Sequence, residues 1–91
     1  MLKIKETDFQ FYIGDSPEEP LAQIKFERQE GLLSLTHTEV SSTLKGQGIG
    51  QKLVAYAVDY ARKHQLKITP ICPFAKKQLE NNPEYQDVLS E

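Results

Sequence analysis

Gly46, Gly48 and Gly50 alternate with other residues immediately before a long amphipathic run, in the stretch LKGQGIGQKLV. Glycine inside a helix costs about 0.5 to 1 kcal/mol relative to alanine, because its backbone has more freedom to lose on folding. Three glycines at the start of a helix therefore weaken the helix that they introduce. We interpret them as a turn whose backbone must stay bare for something that approaches it closely.

Hydrophobic periodicity places this turn between a strand and a helix. From residue 49 to residue 64 the apolar side chains recur with a period of 3.6, which is typical of an amphipathic helix. Residues 32–40, before the turn, alternate with period 2, and residues 67–72 form a short predicted strand that Pro73 ends. The order strand, turn, helix, strand predicts a βαβ crossover with a parallel strand pair and a right-handed connection.

Two more strands are predicted before the crossover. Residues 9–13 and 21–27 alternate with period 2, and the turn-forming residues 14–20 join them. In the first of these strands, Phe9, Phe11 and Ile13 are predicted to share one face. Near the end, Asn82-Pro83 predicts the start of a last helical segment, residues 83–89. We therefore expect an α/β fold with a mixed sheet, consisting of an antiparallel N-terminal meander, the crossover and C-terminal helices.

Composition limits the class of protein. Ninety-one residues suit a single domain, 1–91, and 11 basic against 13 acidic residues give a net charge of −2. This charge argues against nucleic-acid binding and against a basic helix on a membrane surface, and no run approaches the ~18 apolar residues of a membrane span. One cysteine, Cys72, offers no disulfide, and no signal-peptide pattern is present. We expect a cytoplasmic monomer.

A glycine-rich turn that leads into a helix is a general anion site, because free amide groups point outward and the helix dipole adds about half a positive charge. Two known phosphate motifs do not fit. The Walker loop needs Gly-Lys five residues after its first glycine, where this chain has Gln51 after Gly46 and Leu53 after Gly48. The dinucleotide fingerprint needs a third glycine where Gln51 stands.

The motif that does fit is Gln/Arg-x-x-Gly-x-Gly/Ala, matched by Lys45, Gly48 and Gly50, with lysine in place of the first residue. It is the cofactor loop of the GNAT superfamily of acyl-CoA-dependent N-acetyltransferases, which this chain resembles. Within that superfamily the chain is similar to the small stand-alone YjdJ-type domains, over residues 10 to 89. This further resemblance rests on three segments, His37-Thr38-Glu39-Val40, Cys72-Pro73-Phe74 and Asn82-Pro83-Glu84-Tyr85.

The resemblance implies a sheet whose fourth and fifth strands splay apart. The pantetheine arm of acetyl-CoA is then expected to enter the gap and to pair with the backbone of the strand 32–40. The amides of the loop would hold the pyrophosphate, and Gly48 would be bare because a Cβ would collide with it. The implied acetyl-CoA-binding residues are Thr38, Val40, Lys45, Gly46, Gln47, Gly48, Ile49, Gly50 and Gln51.

Glu39 and Cys72 are the candidate catalytic residues. Period-2 alternation predicts that one face of the strand carries Leu33, Leu35, His37 and Glu39, and the other Leu32, Ser34, Thr36, Thr38 and Val40. Glu39 could accept a proton from an amine, which must be neutral to attack a thioester, or it could be a solvated carboxylate. The resemblance places Cys72 near the thioester, although a free cysteine is commonly a small buried hydrophobe. No metal-ligand spacing is present, since the chain has one cysteine and two distant histidines.

Two departures from the superfamily leave alternatives open. The chain lacks the Asn-x-x-Ala, Tyr and Gly-Phe segment that usually supplies a tyrosine acid, and it lacks the two helices that usually shape the acceptor pocket. A shallow, open acceptor site is therefore expected. The predicted function is transfer of acetyl from acetyl-CoA to an unidentified primary amine by direct attack. The alternatives are a non-catalytic CoA-binding or regulatory module, and a covalent route through Cys72.

Overall fold

The computed structural model describes residues 3–90 of the chain, so Met1, Leu2 and Glu91 of the predicted domain lie outside it. The described residues form, in chain order, strands β1 (Lys5–Glu6), β2 (Gln10–Ile13), β3 (Ala22–Gln29) and β4 (Leu32–Val40), helix α1 (Ile49–Lys63), strand β5 (Lys67–Pro70) and helix α2 (Pro73–Asn81). Short 3-10 turns, Ser42–Leu44 and Pro83–Tyr85, precede α1 and follow α2. No helix in this part of the chain is long and apolar enough to cross a membrane.

The strands form one sheet in the order β1-β2-β3-β4-β5. Strands β1 to β4 pair antiparallel with their neighbours. Strands β4 and β5, which α1 connects along the chain, pair parallel. The predicted α/β fold with a mixed sheet is therefore confirmed. Strand β1 was not predicted, because two exposed residues are too few to show a period. The predicted helical segment 83–89 is wrong in extent, since only Pro83–Tyr85 forms a 3-10 turn there.

The core lies between one face of the sheet and the helices. Helix α1 packs against β2, β3, β4 and β5, and its buried stripe includes Leu53, Ala57 and Ala61. On β2, Phe11 is fully buried and its ring meets those of Phe26, Tyr56 and Tyr60. Phe9, which was predicted to share a face with Phe11, is not part of this core. Phe9 is 59% exposed, because β2 begins one residue after it.

A bulge in β4 reverses the predicted faces at the end of this strand. Lys25 pairs with His37 while Phe26 pairs with Leu35, so Thr36 is an extra residue with no partner in β3. The Thr36 hydroxyl donates to the carbonyl of Lys25 over 3.3 Å.

Beyond the bulge, residues that pair across the sheet share a face. Thr38 pairs with Ile24 and Val40 with Ala22, both of which are buried in the core, so Thr38 and Val40 lie on the core face. His37 and Glu39 lie on the opposite face of the sheet, away from α1, which we call the second face. Their predicted grouping with Leu33 and Leu35 is therefore wrong.

Strands β4 and β5 separate soon after they begin. Their parallel pairing covers only Leu32–Leu35 and Lys67–Pro70. The amides of Ile71 and Cys72 both donate to the carbonyl of Leu35, so the chain leaves the ladder there. The predicted strand 67–72 therefore ends two residues early. Within the described residues, no strand pairs with the β5 side of β4 from Thr36 to Val40, and a gap opens between the two strands.

Candidate functional site

A cavity of about 400 Å³ opens at the start of α1, beside the part of β4 that has no partner strand on its β5 side. Ten residues line it: Thr38, Val40, Leu44, Lys45, Gly46, Gly48, Ile49, Gly50, Gln51 and Phe74. These include every predicted acetyl-CoA-binding residue except Gln47, which is exposed. The fold thus brings the glycine turn and the end of β4 together around one space.

The glycine turn owes two of its glycines to backbone conformation. Gly46 has φ of +83° and Gly48 has φ of +67°, both in the left-handed region. A residue with a Cβ pays about 1 to 2 kcal/mol to adopt this conformation. Gly48 is also the N-cap of α1, so its conformation sets the direction in which the helix begins. This requirement exists before any ligand is considered.

Within α1, no side chain neutralises the positive N-terminal end of the helix dipole. Gly48 makes no side-chain cap, and the first turn carries no acidic residue. The first amides of a helix have no acceptor within the helix, and the helix dipole places about half a positive charge at this end. The nearby Lys45 and Lys52 are exposed and add positive charge. The cavity is therefore suited to an anionic group.

Gly50 is bare for a different reason, which is the packing of Phe74. A Cβ on Gly50 would lie 2.8 Å from Cζ of Phe74 and 3.0 Å from its Cε2. Phe74 stands in the first turn of α2 and is 38% exposed at the wall of the cavity. The bare backbone of Gly50 therefore lets the starts of α1 and α2 approach each other. The sequence offered no local sign of this contact, because the two residues are far apart in the chain.

We expect Gly50→Ala to reduce the free energy of unfolding in the parent but not in a Phe74→Ala background. In the parent the new methyl group overpacks the Phe74 ring, at a cost of about 1 to 3 kcal/mol. With the ring removed, alanine instead gains helix propensity of up to about 1 kcal/mol. Urea unfolding of the four proteins of the double-mutant cycle measures the coupling. Strictly additive effects would show that Gly50 is not bare for Phe74.

Cys72 lies next to the cavity rather than in its lining. It is only 7% exposed, and its thiol donates to the hydroxyl of Thr38, a lining residue, over 3.3 Å. Burial raises the pKa of the thiol. The pKa is nevertheless lowered overall, because the ionised thiolate accepts hydrogen bonds from the Thr38 hydroxyl, which then reverses its role, and from the backbone of Ala75, Phe74 and Thr38. Both readings of Cys72, a buried hydrophobe and a reactive thiol, thus have a structural basis.

Glu39 lies on the second face of the sheet, directly behind the cavity wall. Its neighbours in sequence, Thr38 and Val40, line the cavity, while its own side chain points to the other side and is 59% exposed. Oε1 of Glu39 accepts a hydrogen bond from Nε2 of Gln23 over 2.7 Å and lies 3.6 Å from Nε2 of His37. The hydrogen bond from Gln23 lowers the pKa of Glu39 most. Partial burial opposes this effect, and His37 and Lys25 reinforce it.

The comparisons with known proteins agree with this fold. The family model of the GCN5-related N-acetyltransferases matches residues 10–88. A solution structure of a proposed GCN5-like N-acetyltransferase from Staphylococcus aureus is 42% identical, with a TM-score of 0.82, over 98% of this chain and 88% of that one. No curated protein matches the chain at a comparable level.

Two larger proteins share the fold over part of their length. The ribosomal-protein-S18-alanine N-acetyltransferase of Escherichia coli is 14% identical with a TM-score of 0.63, over 85% of this chain and 53% of that one. A proposed acetyltransferase from Agrobacterium tumefaciens is 25% identical with a TM-score of 0.60, over 88% of this chain and 58% of that one. The chain therefore spans little more than half the length of these two. From its sequence, its fold and these matches, the chain belongs to the GCN5-related N-acetyltransferase family.

Proposed function

We propose that the protein binds acetyl-CoA in the cavity at the start of α1 and transfers its acetyl group to a primary amine by direct attack. The observation that carries this proposal is that the glycine turn and the unpaired edge of β4 line the same cavity. Acetyl-CoA has a pyrophosphate and a pantetheine arm with two amide groups, so it needs an anion site followed by a row of backbone partners. The cavity and the strand edge offer these two features side by side.

The residues of the turn and of β4 have separate tasks in this proposal. The amides at the start of α1 bind the pyrophosphate, with Lys45 and Lys52 near enough to add charge. The backbone of Thr38 and Val40, on the unpaired side of β4, pairs with the pantetheine amides as a strand would. The thioester supplies an activated acetyl group, and the gap between β4 and β5 gives an amine access to it from the second face.

Glu39 is the proposed partner of the attacking amine. It stands on the second face beside the gap, and its lowered pKa keeps it ionised at neutral pH. An ionised carboxylate accepts a hydrogen bond from the amine and then its proton. Because more than half of the side chain is exposed, the proton can pass on to solvent.

We expect Glu39→Gln to lower the rate of amine acetylation about tenfold while the affinity for acetyl-CoA stays the same. This is less than the usual 10²- to 10⁴-fold effect of acid–base groups, because a carboxylate with a low pKa is a weak base. Steady-state kinetics and calorimetry measure the two quantities, and loss in the rate alone indicates a transition-state contact. Unchanged turnover would return Glu39 to the role of a solvated carboxylate.

A non-catalytic CoA-binding module is the first alternative. It is favoured by the lining of the cavity, which includes no tyrosine among the described residues to act as the usual acid. Release of free CoA thiol, measured over a panel of amines and amine-bearing peptides, separates the two functions. Thiol release that depends on an amine supports the enzyme, whereas tight binding of CoA without release supports the module.

A covalent route through Cys72 is the second alternative, and it is favoured by the position of the thiol, 3.3 Å from the hydroxyl of Thr38 in the cavity lining. In this route the thiolate attacks the thioester carbonyl, the bond to the CoA sulfur breaks, and CoA leaves as a thiolate that takes up a proton. The amine then attacks the new acetyl-thioester and releases Cys72.

We expect slow self-acetylation of Cys72 that amine transfer does not require. Because the pKa of this thiol is lowered, the rate should rise with pH and level off at a lower pH than for an ordinary cysteine. Intact-mass measurement after incubation with acetyl-CoA should show a partial gain of one acetyl group, which Cys72→Ser abolishes while amine transfer persists. Loss of all transfer in Cys72→Ser, together with ping-pong kinetics, would favour the covalent route.

A further inference from the structure

A short chain of hydrogen bonds runs across the second face of the sheet and ends at Glu39. Nε2 of Gln10 donates to Oε1 of Gln23 over 2.8 Å, and Nε2 of Gln23 donates to Oε1 of Glu39 over 2.7 Å. Nε2 of Gln10 also donates to the carbonyl of Pro17 over 3.2 Å. A carboxylate only accepts, so Gln23 must turn its amide nitrogen to Glu39 and its oxygen to Gln10. The whole chain therefore has one direction. We call these three side chains the glutamine relay.

Both glutamines of the relay are almost completely buried. Gln10 is 2% exposed and Gln23 is 8% exposed, and they are the only polar residues of the described chain classed as buried. A buried amide is costly unless it is hydrogen-bonded, and a pair of apolar side chains of the same shape is about as stable. Folding alone therefore does not require the relay. The specific effect of the relay is to fix the position of the Glu39 carboxylate, which is otherwise largely exposed.

Glu39 and Gln23 face a groove of about 330 Å³ on the second face. Glu18, from the loop between β2 and β3, also lines this groove, and Val40 lines both the groove and the cavity at the start of α1. The groove and the cavity therefore lie on either side of the end of β4. The groove lies over the start of β3 and the end of β4, beneath the loop that carries Glu18.

We propose that Gln23, held by Gln10, is a positioning residue that aims the Glu39 carboxylate at this groove, where the carboxylate binds the acceptor amine in its ammonium form. The inference rests on the proposed function for the identity of the acceptor. The charged and titratable groups around Glu39 are Lys25 on β3, His37 on β4 and Glu18 on the loop. Of these, Glu18 adds a second negative charge for a cationic acceptor, while Lys25 and His37 help to keep Glu39 ionised.

The first test follows the carboxyl group of Glu39 by carbon-detected NMR during a pH titration. In Gln23→Leu the main hydrogen bond to the carboxylate is lost, so we expect the pKa of Glu39 to rise from its value in the parent. Gln29→Leu is the matched control, because Gln29 lies on the same strand, is exposed and is remote from Glu39. Should Gln23→Leu fail to fold, Gln10→Leu frees Gln23 without removing it, and a smaller rise is expected. An unchanged pKa in the folded variant would overturn the inference.

The second test uses n-butylamine as the probe. Its ammonium form should shift the side-chain amide resonances of Gln23 in the parent, and Glu39→Gln should abolish the shift. In kinetics, Gln23→Leu should raise the KM for the amine about fivefold, the value of one ordinary hydrogen bond, with the Kd of acetyl-CoA unchanged. A shift that persists in Glu39→Gln, or an unchanged KM, would overturn the inference. A parent that transfers no acetyl group would contradict the proposed function instead, while the titration and the n-butylamine test would still decide the role of the relay.

Discussion

Gly48→Val should weaken the binding of acetyl-CoA about a hundredfold. Valine is β-branched and does not tolerate the φ of +67° at the N-cap of α1, so the turn must change its conformation. Its Cβ would also lie 3.0 Å from Oε1 of Gln51. The first amides of α1 would then no longer converge on the pyrophosphate. Loss of two charge-assisted hydrogen bonds, at about 1.5 kcal/mol each, corresponds to this change in Kd.

Gly31→Val is the matched control for this prediction. Gly31 has φ of +75°, and a Cβ there meets no atom within 4 Å. It lies in the turn before β4, at the opposite end of that strand from the cavity. Both variants should lose about 1 to 2 kcal/mol of stability through backbone strain. Calorimetry with acetyl-CoA should find weakened binding only in Gly48→Val, and equal Kd values in Gly48→Val and the parent would refute the role of the turn.

Phe11→Ala should remove much of the stability of the domain. Phe11 is fully buried and its ring lies 4.4 Å from that of Phe26 and 5.0 Å from those of Tyr56 and Tyr60, measured between centroids. Truncation of a buried phenylalanine costs about 3 to 5 kcal/mol, through lost transfer free energy and the cavity that remains. A small domain has about 5 to 15 kcal/mol in total. Urea unfolding should therefore show a large fall in the midpoint, or no folded protein.

Phe9→Ala serves as the control, since it removes the same side chain two residues earlier. Phe9 is 59% exposed, and its backbone bonds to Thr7 and Phe26 do not depend on the ring. We expect a change within about 0.5 kcal/mol, as for most surface substitutions. Similar losses in the two variants would mean that the ring of Phe9 is buried, as period-2 alternation alone suggested.

The elements around the cavity could be predicted because each has a strong local signal. The apolar side chains of α1 recur over 15 residues, and the glycine turn combines three small residues with a following helix. A glycine-rich turn between a strand and a helix can adopt only a few backbone conformations. The parallel pairing of β4 and β5 then follows from the order of the elements. The resemblance to the superfamily added the proposed ligand, acetyl-CoA, which periodicity does not indicate.

The bulge at Thr36 could not be predicted, because threonine is an ordinary strand residue and nothing local marks the extra position. A shift of one residue exchanges the two faces of a strand. This is why Thr38 and Val40 line the cavity on the core side while Glu39 is on the second face. The grouping of His37 and Glu39 was correct, since they remain two residues apart beyond the bulge.

Contacts between segments that are distant in the chain also could not be predicted from the sequence. Phe74 reaches the cavity wall only because α2 begins beside Gly50, and no sequence pattern links the two residues. The same holds for the glutamine relay, whose members stand on three different strands. Glutamine is usually a surface residue, so no pattern in the chain indicated that Gln10 and Gln23 are buried. Both features depend on the register of the sheet.

In the proposed complex, acetyl-CoA binds at the glycine turn and along the side of β4 that has no partner strand. Titration of the 15N-labelled protein with acetyl-CoA, followed by the backbone amide resonances, tests it most directly. We expect saturable shifts concentrated at Lys45–Gln51 and Thr38–Val40, with the amide of Gly31 unchanged. No shifts at millimolar acetyl-CoA, or saturable shifts confined to other parts of the chain, would contradict it.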